Sequence, residues 1–344
     1  LRSKDSGEIG TENHTPTAPR GPSFGPESLP DVISGVDPPG VDRRDLRFDE
    51  VYRELGIDPE QVKGEVIISE RHGHRIWRMR LGNRSFVVKC FADEISATAE
   101  TAAYRILRQL GIRTLPVYGM SERALVLEDL SVSPRWRLAC EEDIDRPKIG
   151  AALAAWYRLF HRRGSEFLGT SRPEPLVFRR ESEALTAETM HETARALGLA
   201  GDPVWKTAIG ALELLKAAES KLSTTFNYND FHWTNLAVSR GESEQLQVTV
   251  FDFHLIGIGM RYSDCRNVIS SLGPRAADAF RAEYGPVDPR EVIIDRPLSA
   301  LHSLSVAVRL PRFPTWAHCE LEFVKSAALL RSLEEAMDVA KTLV

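Results

Sequence analysis

The chain changes its hydrophobic period near residue 130, and that change limits what it can fold into. Before it, Glu65–Ile68, Arg75–Met79 and Ser85–Phe91 are short β-prone runs separated by turn residues. Ile95, Ala99, Ala102, Ile106 and Leu110 then recur at helical spacing, with Gly111 as a stop. Leu125-Val126-Leu127 reads as a further strand ending at Glu128-Asp129. After it, from about Ile144, Ile149, Leu153, Trp156 and Phe160 form one helical apolar stripe. Val204, Ala208, Leu212, Leu215 and Leu222 form another. Two strand-like runs, Leu236–Val238 and Leu246–Phe253, interrupt the helices, and the chain is helical again from Leu298. The expectation is an α+β chain, a small β-rich lobe followed by a larger, mostly helical one.

The 344 residues suffice for two lobes with cores of their own. Residues 1–46 are rich in Pro, Gly, Ser, Thr and charge, too poor in large apolar groups to offset their ordering entropy, and read as a disordered tail. The lobes are expected at 47–130 and 131–344. A net charge of −5 gives no general electrostatic reason to bind nucleic acid or an anionic membrane. No apolar run approaches the roughly 18 residues of a membrane span, and no signal peptide is readable. Cys90, Cys140, Cys265 and Cys319 are scattered without paired spacing, which reads as reduced thiols in a cytoplasmic protein.

The chemistry concentrates in Phe226-Asn227-Tyr228-Asn229-Asp230-Phe231-His232-Trp233-Thr234-Asn235. An Asp and an Asn five residues apart on a tight loop suit two jobs. Asp230 is placed to accept the proton of a hydroxyl, and Asn235 to give a hard oxygen ligand to Mg2+. Alone, the two make an ordinary Asx turn pair. Downstream, Asp252 ends the apolar run Val248–Phe253, where a carboxylate projects from a buried strand towards a metal–phosphate complex.

Tyr228-Asn229-Asp230-Phe231-His232-Trp233-Thr234-Asn235 resembles the His-Gly-Asp-x-His-x-x-Asn loop of the aminoglycoside phosphotransferases, choline kinases and relatives. That family next has a metal-binding Asp followed by Gly, Gly and a further Asp, and Asp252, Gly257, Gly259 and Asp264 stand at those offsets. Tyr228 replaces the first His, Asn229 the Gly, and Trp233-Thr234 small residues. His254 stands where relatives often have an acid, and Met260 where they often have Asp.

The resemblance covers roughly 49–340 and implies a bilobal, protein-kinase-like fold with ATP and Mg2+ as cofactors. Its nucleotide-binding lobe would be 47–130, and its catalytic and substrate-binding lobe 131–344. It implies Asp230 as the base and Asn235 and Asp252 as metal ligands. Lys89 would reach the phosphates, oriented by Glu100 or, as the alternative, Glu94. Period two puts Val87 on the face of Lys89, against adenine. Leu125–Leu130 resembles the linker whose backbone, at Glu128 and Leu130, bonds adenine. The phosphate loop would be Ser69–Arg75, with a single glycine.

The expected activity is phosphoryl transfer to a hydroxyl of a small molecule, an antibiotic such as an aminoglycoside among the candidates. The alternatives are a metabolic kinase of choline, an amino alcohol or a sugar, and a nucleotide-binding pseudokinase. Acceptor contacts are expected from a helical insert at about Gly164–Pro203 and from the C-terminal helices. Asp264 is expected to hold the catalytic loop rather than touch ligands. His232 either steadies the loop or meets substrate. His72 and His74 lack a third metal ligand, and Glu141–Asp145 reads as a solvated helix start.

Overall fold

The structure, a computed structural model, describes residues 48–71, 73–170, 177–241 and 246–344. The tail expected at 1–46 and His72 lie outside the described residues. Helix α1 (Phe48–Glu54) precedes a hairpin of β1 (Val62–Arg71) and β2 (His74–Leu81), then β3 (Arg84–Cys90), α2 (Glu94–Gln109), β4 (Val117–Met120) and β5 (Ala124–Glu128). The five strands form one antiparallel sheet in the order β1-β2-β3-β5-β4.

Alternation divides this sheet. Trp77, Met79, Phe86, Val88, Cys90, Ala124 and Val126 pack on Val51 and Tyr52 of α1 as the lobe's own core. Leu125 and Leu127 point the other way, into the core shared with α2 and the helical region. Cross-strand pairs Ile76–Lys89 and Arg78–Val87 belong to this second face.

Helix α2 starts at an N-cap, Asp93, whose carboxylate accepts from Ser96 N at 2.8 Å. Its buried stripe is Ala97, Glu100, Ala103, Tyr104 and Leu107. The row Ile95, Ala99, Ala102, Ile106, Leu110 flanks that stripe, and Ile95 is exposed. Beyond α2, Gly111 takes the positive φ of 65° that a stop requires.

The helical region begins after β6 (Trp136–Leu138). It holds α3 (Pro147–Leu168), α4 (Ala187–Ala196), α5 (Pro203–Lys221), β7 (Thr224–Asn227), β8 (Leu236–Ser239), β9 (Val248–Val250) and β10 (Gly257–Met260). It closes with α6 (Arg261–Ser271), α7 (Pro274–Tyr284), α8 (Pro289–Ala307), α9 (His318–Lys325) and α10 (Ala328–Leu343). Both expected apolar stripes are buried, one in α3 within the shared core and one along α5 in a second core with α8 and α10. The fold is the expected bilobal α+β, kinase-like one.

Two expectations are corrected. The strand-like run 246–253 forms a ladder only over Val248–Val250, and beyond it Asp252 leaves the extended region with a φ of 68°. The acidic run 141–145 does open a short 3-10 helix (Glu141–Asp143) with Glu141 and Glu142 exposed, and the expectation of solvation fails at Asp143. Asp143 is buried, bound by Arg137 at 2.5 Å and Arg146 at 2.9 Å, and Asp145 accepts from Arg275 N at 2.7 Å. All four cysteines are free, and no described helix is long and apolar enough to cross a membrane.

Candidate functional site

Two ladders bring the motif loops together. Strand β7 pairs with β10 and β8 with β9, so Asn227 lies opposite Gly257 and Leu236 opposite Val250. The loop with Asp230 and the loop with Asp252 are therefore pinned side by side at both ends. The two glycines of the second motif permit the approach. A Cβ at Gly257 would stand 2.6 Å from Arg179 O and 2.8 Å from Asn229 Nδ2, and one at Gly259 would stand 2.5 Å from Asn227 Oδ1.

Asp264, at the start of α6, is fully buried and holds the first loop by its backbone. Its carboxylate accepts Tyr228 N at 2.9 Å and Asn229 N at 3.0 Å, and His161 of α3 meets it at 3.0 Å. His161 is in turn hydrogen-bonded to Tyr284 at 2.7 Å. Asn229 takes φ 65°, which its short side chain tolerates, and this explains why a glycine serves in relatives. Tyr228 donates its buried hydroxyl to Phe251 O, tying the loops once more. His232 caps the turn Trp233–Asn235, meeting Thr234 Oγ1 at 2.8 Å, so it steadies the loop.

Within this frame, Asn235 Nδ2 donates to Asp230 Oδ2 at 3.0 Å and to Asp230 O at 3.3 Å. That orientation leaves Asn235 Oδ1 as the acceptor end of the amide. Lys89 Nζ, from the sheet, lies 2.6 Å from Glu100 Oε2 and 2.6 Å from Asp252 Oδ1. Glu100 is thus the partner of Lys89, and Glu94 is the first residue of α2. Burial works against the Lys89 ammonium, but Asp252 and then Glu100 outweigh it and raise its pKa above the ordinary value. Burial also opposes the charge on Asp252, and Lys89 followed by His254 holds it well below the usual carboxylate range. His254 Nδ1 sits 2.5 Å from Asp252 Oδ1. Burial would lower its pKa, yet Asp252 raises it, and the field of Asp230 acts on it too.

Asp252 keeps about a quarter of its side chain exposed (26 %) and, with Asn235 Oδ1, offers hard oxygens of the kind Mg2+ takes. Glu100, Asp252 and His254 also bring one donor atom each within 4.8 Å of one another. The Lys89 ammonium lies between the two carboxylates and offsets one of their two charges.

Val87 is half-buried on the Lys89 face, where it was expected. At the junction of the lobes, Glu128 N donates to Pro116 O at 3.2 Å and its carboxylate accepts from Ser133. Leu130 is buried against Leu115, Trp136 and Ala237, and its carbonyl accepts from Arg240 at 3.2 Å. Between them, Asp129 binds Arg78 at 2.6 Å and Ser85 at 2.6 Å, locking the junction to β2 and β3. Asp129, Arg78 and His161 escaped the sequence reading. A histidine next to the apolar stripe Leu153, Trp156, Phe160 was the one signal available for His161. Among the described residues, a cavity of about 30 Å3 under the loop, lined by Glu219, Asn229 and Asp295, has room for a water rather than an acceptor.

A β-sheet lobe whose buried lysine meets an aspartate of a helical lobe, beside an Asp–Asn loop, is the arrangement of kinase-like phosphotransferases. The chain belongs to the phosphotransferase enzyme family, whose sequence model matches residues 66–292. Solved structures share the fold at low identity. A choline/ethanolamine kinase family protein from Mesorhizobium loti is 14 % identical with a TM-score of 0.55, over 86 % of this chain and 99 % of that one. Choline kinase LicA from Streptococcus pneumoniae is 12 % identical with a TM-score of 0.54, over 83 % and 97 %. The ADP-bound aminoglycoside phosphotransferase APH(2'')-Ib is 13 % identical with a TM-score of 0.50, over 86 % and 98 %. No curated protein matches the chain.

Proposed function

We propose that the chain transfers the terminal phosphoryl group of ATP to a hydroxyl of a small molecule, with residues 47–130 binding nucleotide and 131–344 supplying catalysis and the acceptor site. The observation that carries this reading is the Lys89 ammonium, bridged at 2.6 Å to Glu100 and to Asp252 beside the Asp230–Asn235 pair. Phosphoryl transfer depends mainly on positioning and charge stabilisation, and these groups orient one another through hydrogen bonds.

In this reading Val87 and the backbone at Glu128 and Leu130 receive adenine. Lys89, oriented by Glu100, meets the phosphates. Asn235 and Asp252 would hold Mg2+, which when bound neutralises phosphate charge. Asp230, oriented by Asn235 Nδ2, takes the proton of the acceptor hydroxyl. The fold neighbours are named as choline or ethanolamine kinases and as an aminoglycoside phosphotransferase, so these acceptors head the panel. The test is acceptor-dependent ADP release from Mg-ATP with aminoglycosides, amino alcohols and sugars. Stimulation by one acceptor class supports a kinase. ATP binding without ADP release across the panel favours a nucleotide-binding pseudokinase instead.

A further inference from the structure

The turn between β1 and β2 has a single glycine, which gives little room for a phosphate cradle of backbone N–H groups. Gly73 has a φ of 79°, and a Cβ there would stand 2.8 Å from Cβ of Ala92. Glycine therefore lets the turn lie against Ala92, the second residue past β3. The next residue, His74, opens β2, and period two sets it on the same sheet face as Ile76, the cross-strand partner of Lys89. Its ring stands edge-on to Phe91 at 6.1 Å, a ring over which Lys89 Nζ lies at 5.1 Å, and 6.4 Å from the ring of His254. His74 thus borders the Lys89–Asp252 pair from the sheet side.

Its hydrogen bonding is specific. The N–H of Ala92 donates to His74 Nδ1 at 3.1 Å. A ring nitrogen that accepts a backbone N–H carries no proton, so the neutral ring holds its proton on Nε2. Burial, and then the Lys89 ammonium, lower the His74 pKa from its ordinary value, which favours that neutral form.

We propose that His74 is a phosphate-binding residue, its Nε2–H donating to a phosphate oxygen of the nucleotide beside Lys89. It places a side-chain donor beside Lys89, and a neutral donor adds no further charge next to the Lys89 ammonium. The proposal rests on the nucleotide reading above. It explains why the turn packs on Ala92: that contact orients the imidazole.

Calorimetry with adenosine, ADP and Mg-ATP tests it on the full chain and on two variants. His74→Asn keeps an acceptor for Ala92 N–H but withdraws the far donor, while His74→Gln restores an N–H near the position of Nε2. The expected result is a roughly ten-fold loss of ADP and ATP affinity in His74→Asn, the value of one hydrogen bond to a charged group. Adenosine affinity should stay within about two-fold, since adenosine carries no phosphate to lose. His74→Gln should recover most of the loss. Equal ATP affinity in wild type and His74→Asn overturns the proposal. So does an equal loss for adenosine and ATP, which marks a structural role, or a Gln variant no better than Asn. Should the wild type bind none of the three ligands, the nucleotide reading falls and takes this proposal with it. That outcome is distinct from nucleotide binding to which His74 is indifferent.

Discussion

Lys89 Nζ and Asp252 Oδ1 stand 2.6 Å apart across 163 residues of sequence, the sheet's cation against an anion on a loop of the helical lobe. Lys89 and His254 both meet the same carboxylate oxygen, Asp252 Oδ1, and the Asp252 backbone holds a left-handed φ of 68°. Strain of this kind persists where surrounding structure over-determines it, and here the β8–β9 and β7–β10 ladders do so.

Asp252→Ala should abolish Mg2+-dependent ATP turnover while the fold survives, because Lys89 keeps Glu100 as a partner. The loss corresponds to several kcal/mol of phosphate-charge stabilisation. ADP release and circular dichroism, measured on the same preparation, check this. Near-normal turnover with an unchanged spectrum would contradict the assignment.

Asp264→Ala acts differently. It removes the acceptor of the Tyr228 and Asn229 N–H groups and the partner of His161, all buried or nearly so. Buried groups stripped of partners cost about 1–3 kcal/mol each. The variant should melt several degrees lower and lose turnover, whereas Asp252→Ala should lose turnover with a smaller drop in melting temperature, since Lys89 keeps Glu100. Differential scanning calorimetry of the two variants separates them.

Gly257→Ala places a methyl group 2.6 Å from Arg179 O and 2.8 Å from Asn229 Nδ2. Backbone on one side and the catalytic loop on the other leave no cheap relaxation, so overpacking should cost about 1–3 kcal/mol and displace Asp230. The measurement is a denaturant midpoint alongside ADP release. Wild-type values for both would show that the loops do not depend on this close approach.

Much of the candidate site is legible in the sequence because its residues sit at fixed offsets on short loops: Asp230, Asn235, Asp252 and Asp264 all belong to the two motifs. Lys89, Glu100 and Val87 followed from period two on β3 and period 3.6 on α2. The row from Ile95 is periodic in the sequence yet lies to one side of the buried stripe of α2 that holds Glu100. What stayed hidden were partnerships between distant segments. His161 meets Asp264 from 103 residues away and Arg78 meets Asp129 from 51, and no local pattern records such a pairing. Within the acidic run 141–145 only the exposed Glu141 and Glu142 follow the rule that charge means exposure, and Arg137 and Arg146 reverse it for Asp143.

Asp129 gives the fold a sensitivity to acid. Burial disfavours its charge, but hydrogen bonds from Arg78, Ser85 and Ser131 outweigh this and lower its pKa below the ordinary 3.8. A carboxylate whose folded pKa is depressed contributes stability above its unfolded pKa and loses it as pH falls through the folded value. Wild type should therefore exceed Asp129→Asn in stability at neutral pH, and the gap should close as pH drops below about 4. Urea titrations at a series of pH values check the trend, and a gap independent of pH would contradict it.

The central claim is that Asp230 serves as the base of a working phosphotransferase, and Asp230→Asn tests it most directly. The substitution keeps the size and one acceptor oxygen and removes the charge, so Lys89, Asn235 and Asp252 still face the nucleotide. Calorimetry should give a Mg-ATP affinity close to wild type, while acceptor-dependent ADP release falls by roughly 10²–10⁴-fold, the usual contribution of a positioned base. Equal turnover in the two proteins with the same acceptor would contradict the account and put the base elsewhere.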